Sequence, residues 1–104
     1  MVKFGYTILY VSDVTKSIEF YEKSFDFARK FVTPENDYGE LDTGQTTIAF
    51  TSVELARSNL KDGFVQGSLD QQPFAIELGF VTDNVEEIIN IAQQNGATVL
   101  EEPK

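Results

Sequence analysis

The order of apolar and polar residues predicts a strand followed by a helix at the start of the chain. From Val2 to Val11 the sequence alternates with period two, which is typical of a strand with two apolar faces. One face carries Phe4, Tyr6, Ile8 and Tyr10, and the other carries Thr7, Leu9 and Val11. Ser12 and Asp13 then offer capping oxygens to an amphipathic helix with apolar residues at spacings of four, three and four. This helix is predicted to bury Val14, Ile18, Tyr21 and Phe25.

Three short strands are predicted next. The stretches "TPEN" and "DTGQ" favour turns, and Gly44 supplies the permissive dihedrals of the second turn. The segments around them favour strands at Ala28 to Thr33, Tyr38 to Asp42 and Thr46 to Ser52. Residues 1–53 therefore predict a β-α-β-β-β module. Residues 54–73 follow as a connector, with one helical turn favoured in "VELARSNL".

The pattern of the first strand and helix returns weakly after a shift of 71 positions. The shift aligns Val14 with Val85 and Ile18 with Ile89, so a second helix is predicted to bury Val85, Ile89 and Ala92. Asp83 and Glu86 have capping-box spacing at its start, and Gly96 marks its end. We expect a single domain over residues 1–104, with residues 74–104 forming a partial second module and both helices on the same side of the sheet.

Glu77 interrupts an apolar strand pattern at the position that the repeat aligns with Tyr6. If the helices cover one side of the sheet, Tyr6 and Glu77 look out from the other side. Two interpretations of Glu77 stay open, a solvated strand residue and a carboxylate in a cleft that it shares with Tyr6. The aromatic residues near Tyr6 are either ordinary strand residues or a ligand wall. Tyr38 and Glu40 face outward in the same way, as solvated residues or as part of a site.

Composition narrows the function. The 104 residues are 41% apolar and 24% charged, which is typical of a globular domain. The chain has no cysteine and no histidine, so acid–base or metal chemistry would depend on carboxylates, tyrosine or lysine. The net charge of −9 argues against nucleic acid and favours a cationic small molecule. No run of about 18 apolar residues is present, so we expect a cytoplasmic protein without a membrane partner.

The passages "YTILYVSDVTKSIEFYEKSFDF", "LDTGQTTIAF" and "IELGFVTDNVEEIINIAQQNGATV" resemble the vicinal oxygen chelate superfamily. This superfamily includes glyoxalase I, bleomycin resistance proteins and extradiol dioxygenases. The resemblance implies an α+β fold in which paired β-α-β-β-β modules form a cupped mixed sheet around a cleft. Repeating the first module would require two strands after "TVLEEPK". We therefore expect either that the sequence given is cut short or that a partner covers the strand edges.

The resemblance also implies where a site would lie. The metal-ligand positions of the superfamily match Tyr6, Ala49 and Glu77, a set too poor in donor atoms to hold a divalent ion. No metal and no other cofactor is therefore predicted. The candidate ligand-binding residues are Phe4, Tyr6, Ile8, Tyr38, Glu40, Ala49 and Glu77, and Glu77 is the one candidate for catalysis.

The leading hypothesis is a small-molecule-binding protein of the glyoxalase/bleomycin resistance type, forming a homodimer and taking a ligand that is cationic or donates hydrogen bonds. The alternative is a metal-dependent lyase, isomerase or dioxygenase of the same superfamily, with further metal ligands from absent residues or a partner chain. A third possibility is a dimerisation module without a ligand, whose cleft would be filled by its own side chains.

Overall fold

The computed structural model describes residues 1–102, which form one four-stranded curved sheet and three helices. The elements are β1 (Tyr6–Val11), α1 (Val14–Phe25), β2 (Ala28–Val32), β3 (Tyr38–Asp42), β4 (Thr47–Ser52), α2 (Val53–Asn59) and α3 (Val85–Gln94). The predicted α+β class is confirmed, with one complete module. The last two residues of the predicted second module, 103 and 104, lie outside the described residues. No helix in the described part of the chain is long and apolar enough to cross a bilayer.

The sheet has the order β1-β4-β3-β2. β1 runs parallel to β4, while β3 is antiparallel to both β4 and β2. The register places Ile8 beside Ala49, Ala49 beside Glu40 and Glu40 beside Phe31. An irregularity between Arg29 and Phe31 shifts the register of β2, so three consecutive residues there oppose two residues of β3.

Helix α1 covers one side of the sheet because its apolar stripe needs a partner surface. It begins at Asp13, whose side chain accepts a hydrogen bond from the backbone N–H of Lys16 at 3.1 Å. The core beneath it consists of Val14, Ile18, Leu41, Ile48 and Phe50. The close contact of helix and sheet requires Gly39, since a Cβ there would lie 2.5 Å from Ile18 Cδ1.

Helix α3 forms where the repeat predicts it, but its cap is shifted by one residue. Asn84, not Asp83, is the N-cap, and its side chain accepts a hydrogen bond from the backbone N–H of Glu87 at 3.1 Å. This is the position that the repeat aligns with the Asp13 cap of α1. Gly96 follows the helix with a φ of +105°, in agreement with the predicted helix end.

The burial predicted for α3 is partly wrong. Ala92 is buried as predicted, whereas Ile89 is half-buried and Val85 is 50% exposed. The physical reason is that α3 packs mainly against α1 instead of covering strands of its own. Because α1 lies on the sheet and α3 lies on α1, the two helices are on the same side, as expected.

The predicted strand of the second half is absent. Residues 74–81 form no strand, and their apolar side chains are mostly exposed, among them Phe74, Ile76, Leu78 and Val81. Phe80 is the anchor of this segment, since its ring lies 5.1 Å from Phe25 and 5.2 Å from Phe27. A strand requires a neighbour that completes its backbone hydrogen bonds, and none is paired with these residues. The first strand is also shorter than predicted, beginning at Tyr6 instead of Val2.

Candidate functional site

The side of the sheet opposite α1 is covered by neither α1 nor α3, and we call it the open face. The short helix α2 contacts β1 and β4. Alternation along the strands decides which side chains the open face carries, since Leu9, Leu41 and Ile48 point to α1 and their neighbours point away. The open face carries Tyr6, Ile8 and Tyr10 from β1, Thr47, Ala49 and Thr51 from β4, Tyr38, Glu40 and Asp42 from β3, and Phe31 from β2.

Ala49 forms the floor of the open face. It lies on a central strand, and its exposed fraction is 0%. The larger residues Ile8 and Glu40 stand on the two neighbouring strands at the same level. The side chains around Ala49 therefore cover it, and the surface of the open face at this level is formed by its larger neighbours.

Tyr38 and Glu40 are hydrogen-bonded to each other on the open face. The Tyr38 hydroxyl donates a hydrogen bond to Glu40 Oε2 at 2.6 Å. Burial, the hydrogen bond to Glu40 and the nearby Tyr6 phenol all raise the pKa of Tyr38 far above its usual range, burial most of all. Tyr38 is therefore protonated and acts as a donor under physiological conditions. Glu40 makes no ion pair within residues 1–102, so its charge is available to a ligand.

Lys30 lies at the irregularity of β2 and turns towards the open face. Its ammonium group donates a hydrogen bond to Thr47 Oγ1 at 2.6 Å. Next to it, the ring of Phe31 lies 5.9 Å from that of Tyr38. Sequence reasoning missed Lys30 and Phe31 as site residues, because a strand with strict alternation cannot place two consecutive residues on one face.

The connector closes one end of the open face. Phe64 packs edge-on against Tyr10 with ring centroids 4.8 Å apart, and the Arg57 guanidinium lies 5.8 Å from the centre of the Phe64 ring. The Gln66 amide holds this segment through hydrogen bonds with Arg57 at 3.2 Å and Ser12 at 3.4 Å. One local signal for this contact is present in the sequence, because Phe64 is the one aromatic residue of the connector 54–73.

Glu77 lies away from the open face. It lines a hollow of about 350 Å³ together with Thr7, Ile48 and Phe80. Thr7 and Ile48 are paired residues that point to the α1 side of the sheet, whereas Tyr6 points to the open face. The expectation that Tyr6 and Glu77 share one pocket is therefore wrong. The reason is that residues 74–81 do not join the sheet, so the strand repeat that made the two positions equivalent does not form.

The other predicted site residues are placed together. Tyr6, Ile8, Tyr38, Glu40 and Ala49 share the open face, and Phe4 lies just before β1 with an exposed side chain. Their part in ligand binding, and any catalytic part of Glu77, stay predictions.

The metal positions implied by the resemblance do not converge here. Ala49 offers no donor atom, and Glu77 lies on the other side of the sheet from Tyr6. Within residues 1–102 no three His, Cys, Asp or Glu side chains are grouped so that they could hold a metal ion. The residues present thus do not fit the metal of the enzymes in that superfamily, and both the metal-free site and the metal-dependent alternative stay predictions.

Comparison with known proteins gives a family and a fold. The profile of the Glyoxalase/Bleomycin resistance protein/Dioxygenase superfamily matches residues 3–104. No curated protein sequence matches the chain.

Solved structures are similar over nearly the whole chain. A glyoxalase/bleomycin resistance protein/dioxygenase family enzyme from Burkholderia phytofirmans has a TM-score of 0.73 and 23% identity, with 96% of this chain and 78% of that chain covered. A hypothetical protein from S. aureus has a TM-score of 0.72 and 24% identity, with 100% and 77% covered. A gene product from Arabidopsis thaliana has a TM-score of 0.69 and 18% identity, with 99% and 80% covered. At these identities the likeness shows the fold alone.

Proposed function

This chain belongs to the Glyoxalase/Bleomycin resistance protein/Dioxygenase superfamily, and on that premise we propose that its open face binds a small organic molecule. The observation that carries the proposal is the Tyr38–Glu40 pair, a carboxylate that is held by a hydrogen bond and makes no ion pair within residues 1–102. Apolar and aromatic side chains with a few polar groups surround it, which is the usual composition of a ligand site.

The ligand is proposed to be cationic or rich in hydrogen-bond donors. The net charge of −9 attracts cations to the whole molecule, and Glu40 adds a carboxylate without an ion pair within residues 1–102. The cytoplasm is the proposed location, because a chain without cysteine is compatible with a reducing compartment.

A homodimer is part of the same proposal. An open sheet face covers only one side of a ligand, whereas ligand sites usually bury most of the ligand surface. The exposed apolar residues Phe74, Ile76 and Leu78 supply surface that a second copy can cover. Light scattering at tens of micromolar protein should give twice the mass of one chain, and a monomeric mass would contradict this part.

Filling the floor of the open face tests the binding site. Ala49→Val adds two methyl groups beneath Ile8 and Glu40 and should displace these side chains, whereas valine suits a strand, so the variant should remain folded. We use benzylammonium as the probe and follow backbone amide shifts by two-dimensional NMR. The probe should shift amides of β1, β3 and β4, and Ala49→Val should weaken its binding about tenfold, or ~1.4 kcal/mol.

The matched control is Ala97→Val, which adds the same atoms at a half-buried position just after α3, the helix that packs on α1. It should leave the affinity unchanged. If amides of the open face do not respond to the probe, or if both variants weaken binding equally, this face is not the site.

A further inference from the structure

We propose that Glu40, held by the Tyr38 hydroxyl, is the specificity-determining residue of the open face and selects ligands with an alkylammonium group over those with a guanidinium group. The inference rests on the proposed function, since it names the head group that the same face would recognise. It follows from the hydrogen bonding of one carboxylate.

The orientation of Glu40 is set by its own strand. Tyr38 and Glu40 lie two residues apart on β3 and therefore point to the same face. The hydrogen bond of 2.6 Å from the Tyr38 hydroxyl occupies Oε2. Oε1 of Glu40 accepts no hydrogen bond from another residue in the described range 1–102. One oxygen is therefore directed by the protein and the other is left for a ligand.

The surroundings of Glu40 suit a positive charge. Glu40 lies beside Phe31 of β2 and Ala49 of β4. The Tyr6 phenol is also close, since it contributes to the raised pKa of Tyr38. A carboxylate beside aromatic rings offers a cation both charge and ring-face attraction. Lys30, which turns towards this face, is bonded to Thr47 and makes no ion pair with Glu40.

The number of free oxygens separates two kinds of cation. A guanidinium binds a carboxylate best through two parallel N–H groups, one to each oxygen. The Tyr38 hydroxyl competes for Oε2, so this two-point contact would require the Tyr38 bond to break. An ammonium group is a compact charge that needs one good acceptor, and Oε1 supplies it. The arrangement therefore favours ammonium over guanidinium.

Three probes of similar size test the selection: benzylammonium, benzylguanidinium and the neutral benzyl alcohol. Dissociation constants come from amide shifts of the open face, which also show that the protein is folded. Wild type should bind benzylammonium about tenfold more tightly than benzyl alcohol, as expected for a hydrogen bond to a charged group, and more tightly than benzylguanidinium.

Two variants separate the roles of the pair. Glu40→Gln keeps the size and removes the charge, so benzylammonium and benzyl alcohol should then bind equally. Tyr38→Phe frees Oε2, so the affinity ratio should move towards benzylguanidinium by about fivefold or more, the effect of one charge-assisted hydrogen bond. The control is Asp26→Asn, which removes one negative charge at the exposed end of α1, where the left-handed φ of 59° also suits asparagine. It should leave the ammonium-to-guanidinium ratio unchanged.

The outcomes distinguish this inference from the proposed function. If all three probes bind the open face of wild type with equal affinity, the face is a binding site but Glu40 does not select a cation. If Asp26→Asn changes the ratio as much as Tyr38→Phe, the general charge of the protein and not the Tyr38–Glu40 pair decides it. If none of the probes shifts amides of the open face, the proposed function itself is wrong. The wild-type ratios decide the matter even if a variant fails to fold.

Discussion

Residues 6–59 and residues 74–96 have related sequence patterns but reach different structures. In the first region a strand pattern and a helix pattern give β1 and α1, and both pack around a core that is fully buried. In the second region the helix pattern gives α3, whereas the strand pattern gives an extended segment with exposed apolar residues. The helix completes its backbone hydrogen bonds within itself, and the strand cannot. A repeat in sequence therefore predicts repeated helices more safely than repeated strands.

The two regions should differ most in the stability that is lost when Ile18, or Ile89 at the aligned position of the repeat, is replaced by alanine. Ile18 is completely buried in the core, so Ile18→Ala should lower the free energy of unfolding by about 2 to 5 kcal/mol. Ile89 is half-buried on α3, so Ile89→Ala should cost less than half as much. Denaturant titrations of both variants measure the difference. Equal losses would mean that the second region is packed as tightly as the first.

Replacing one glycine of each region by alanine should give a smaller difference in stability. Gly39→Ala places a methyl group against Ile18 and Val14, so overpacking should cost about 1 to 3 kcal/mol. At Gly79 a Cβ would meet no atom within 4 Å, and alanine there should change stability by no more than about 0.5 kcal/mol. Thermal unfolding of the two variants compares them. Similar destabilisation by both would show that residues around Gly79 are packed against a surface, such as a second copy.

The smallest effect should be a loss of stability at high pH, and it should come from the first region alone. All four tyrosines lie in residues 6–38. The pKa values of Tyr21 and Tyr38 are raised, and burial is the largest cause for both. A raised pKa in the folded state means that the stabilisation is complete below about pH 10 and declines as the pH rises beyond it. Unfolding curves between pH 8 and pH 11 should show the decline. Tyr38→Phe should make it shallower, and an unchanged slope would contradict the role of this phenol.

The sequence alone predicted the features of the fold that depend on residues close together in the chain. The bounds of β3 and the start of α1 were predicted, and alternation correctly grouped Tyr6, Ile8 and Ala49 on one face. It was insufficient where distant residues decide. The shift in β2 that brings Lys30 to the open face depends on pairing with β3, and the contact of Phe64 with Tyr10 joins residues 54 positions apart. The position of Glu77 depended on a strand pairing that local pattern does not encode.

The parallel pairing of β1 with β4 has a consequence for the order of folding. Strands β2, β3 and β4 are joined by short turns and can pair soon after they form, whereas β1 must wait for a partner that begins 41 residues after its own start. Closing such a long loop is entropically costly and slow. We expect β1 to join the sheet last, after β4 has emerged from the ribosome. Ala49 would then gain its neighbour Ile8 in the final step, so a nascent chain would complete the proposed ligand site only after the rest of the sheet has formed.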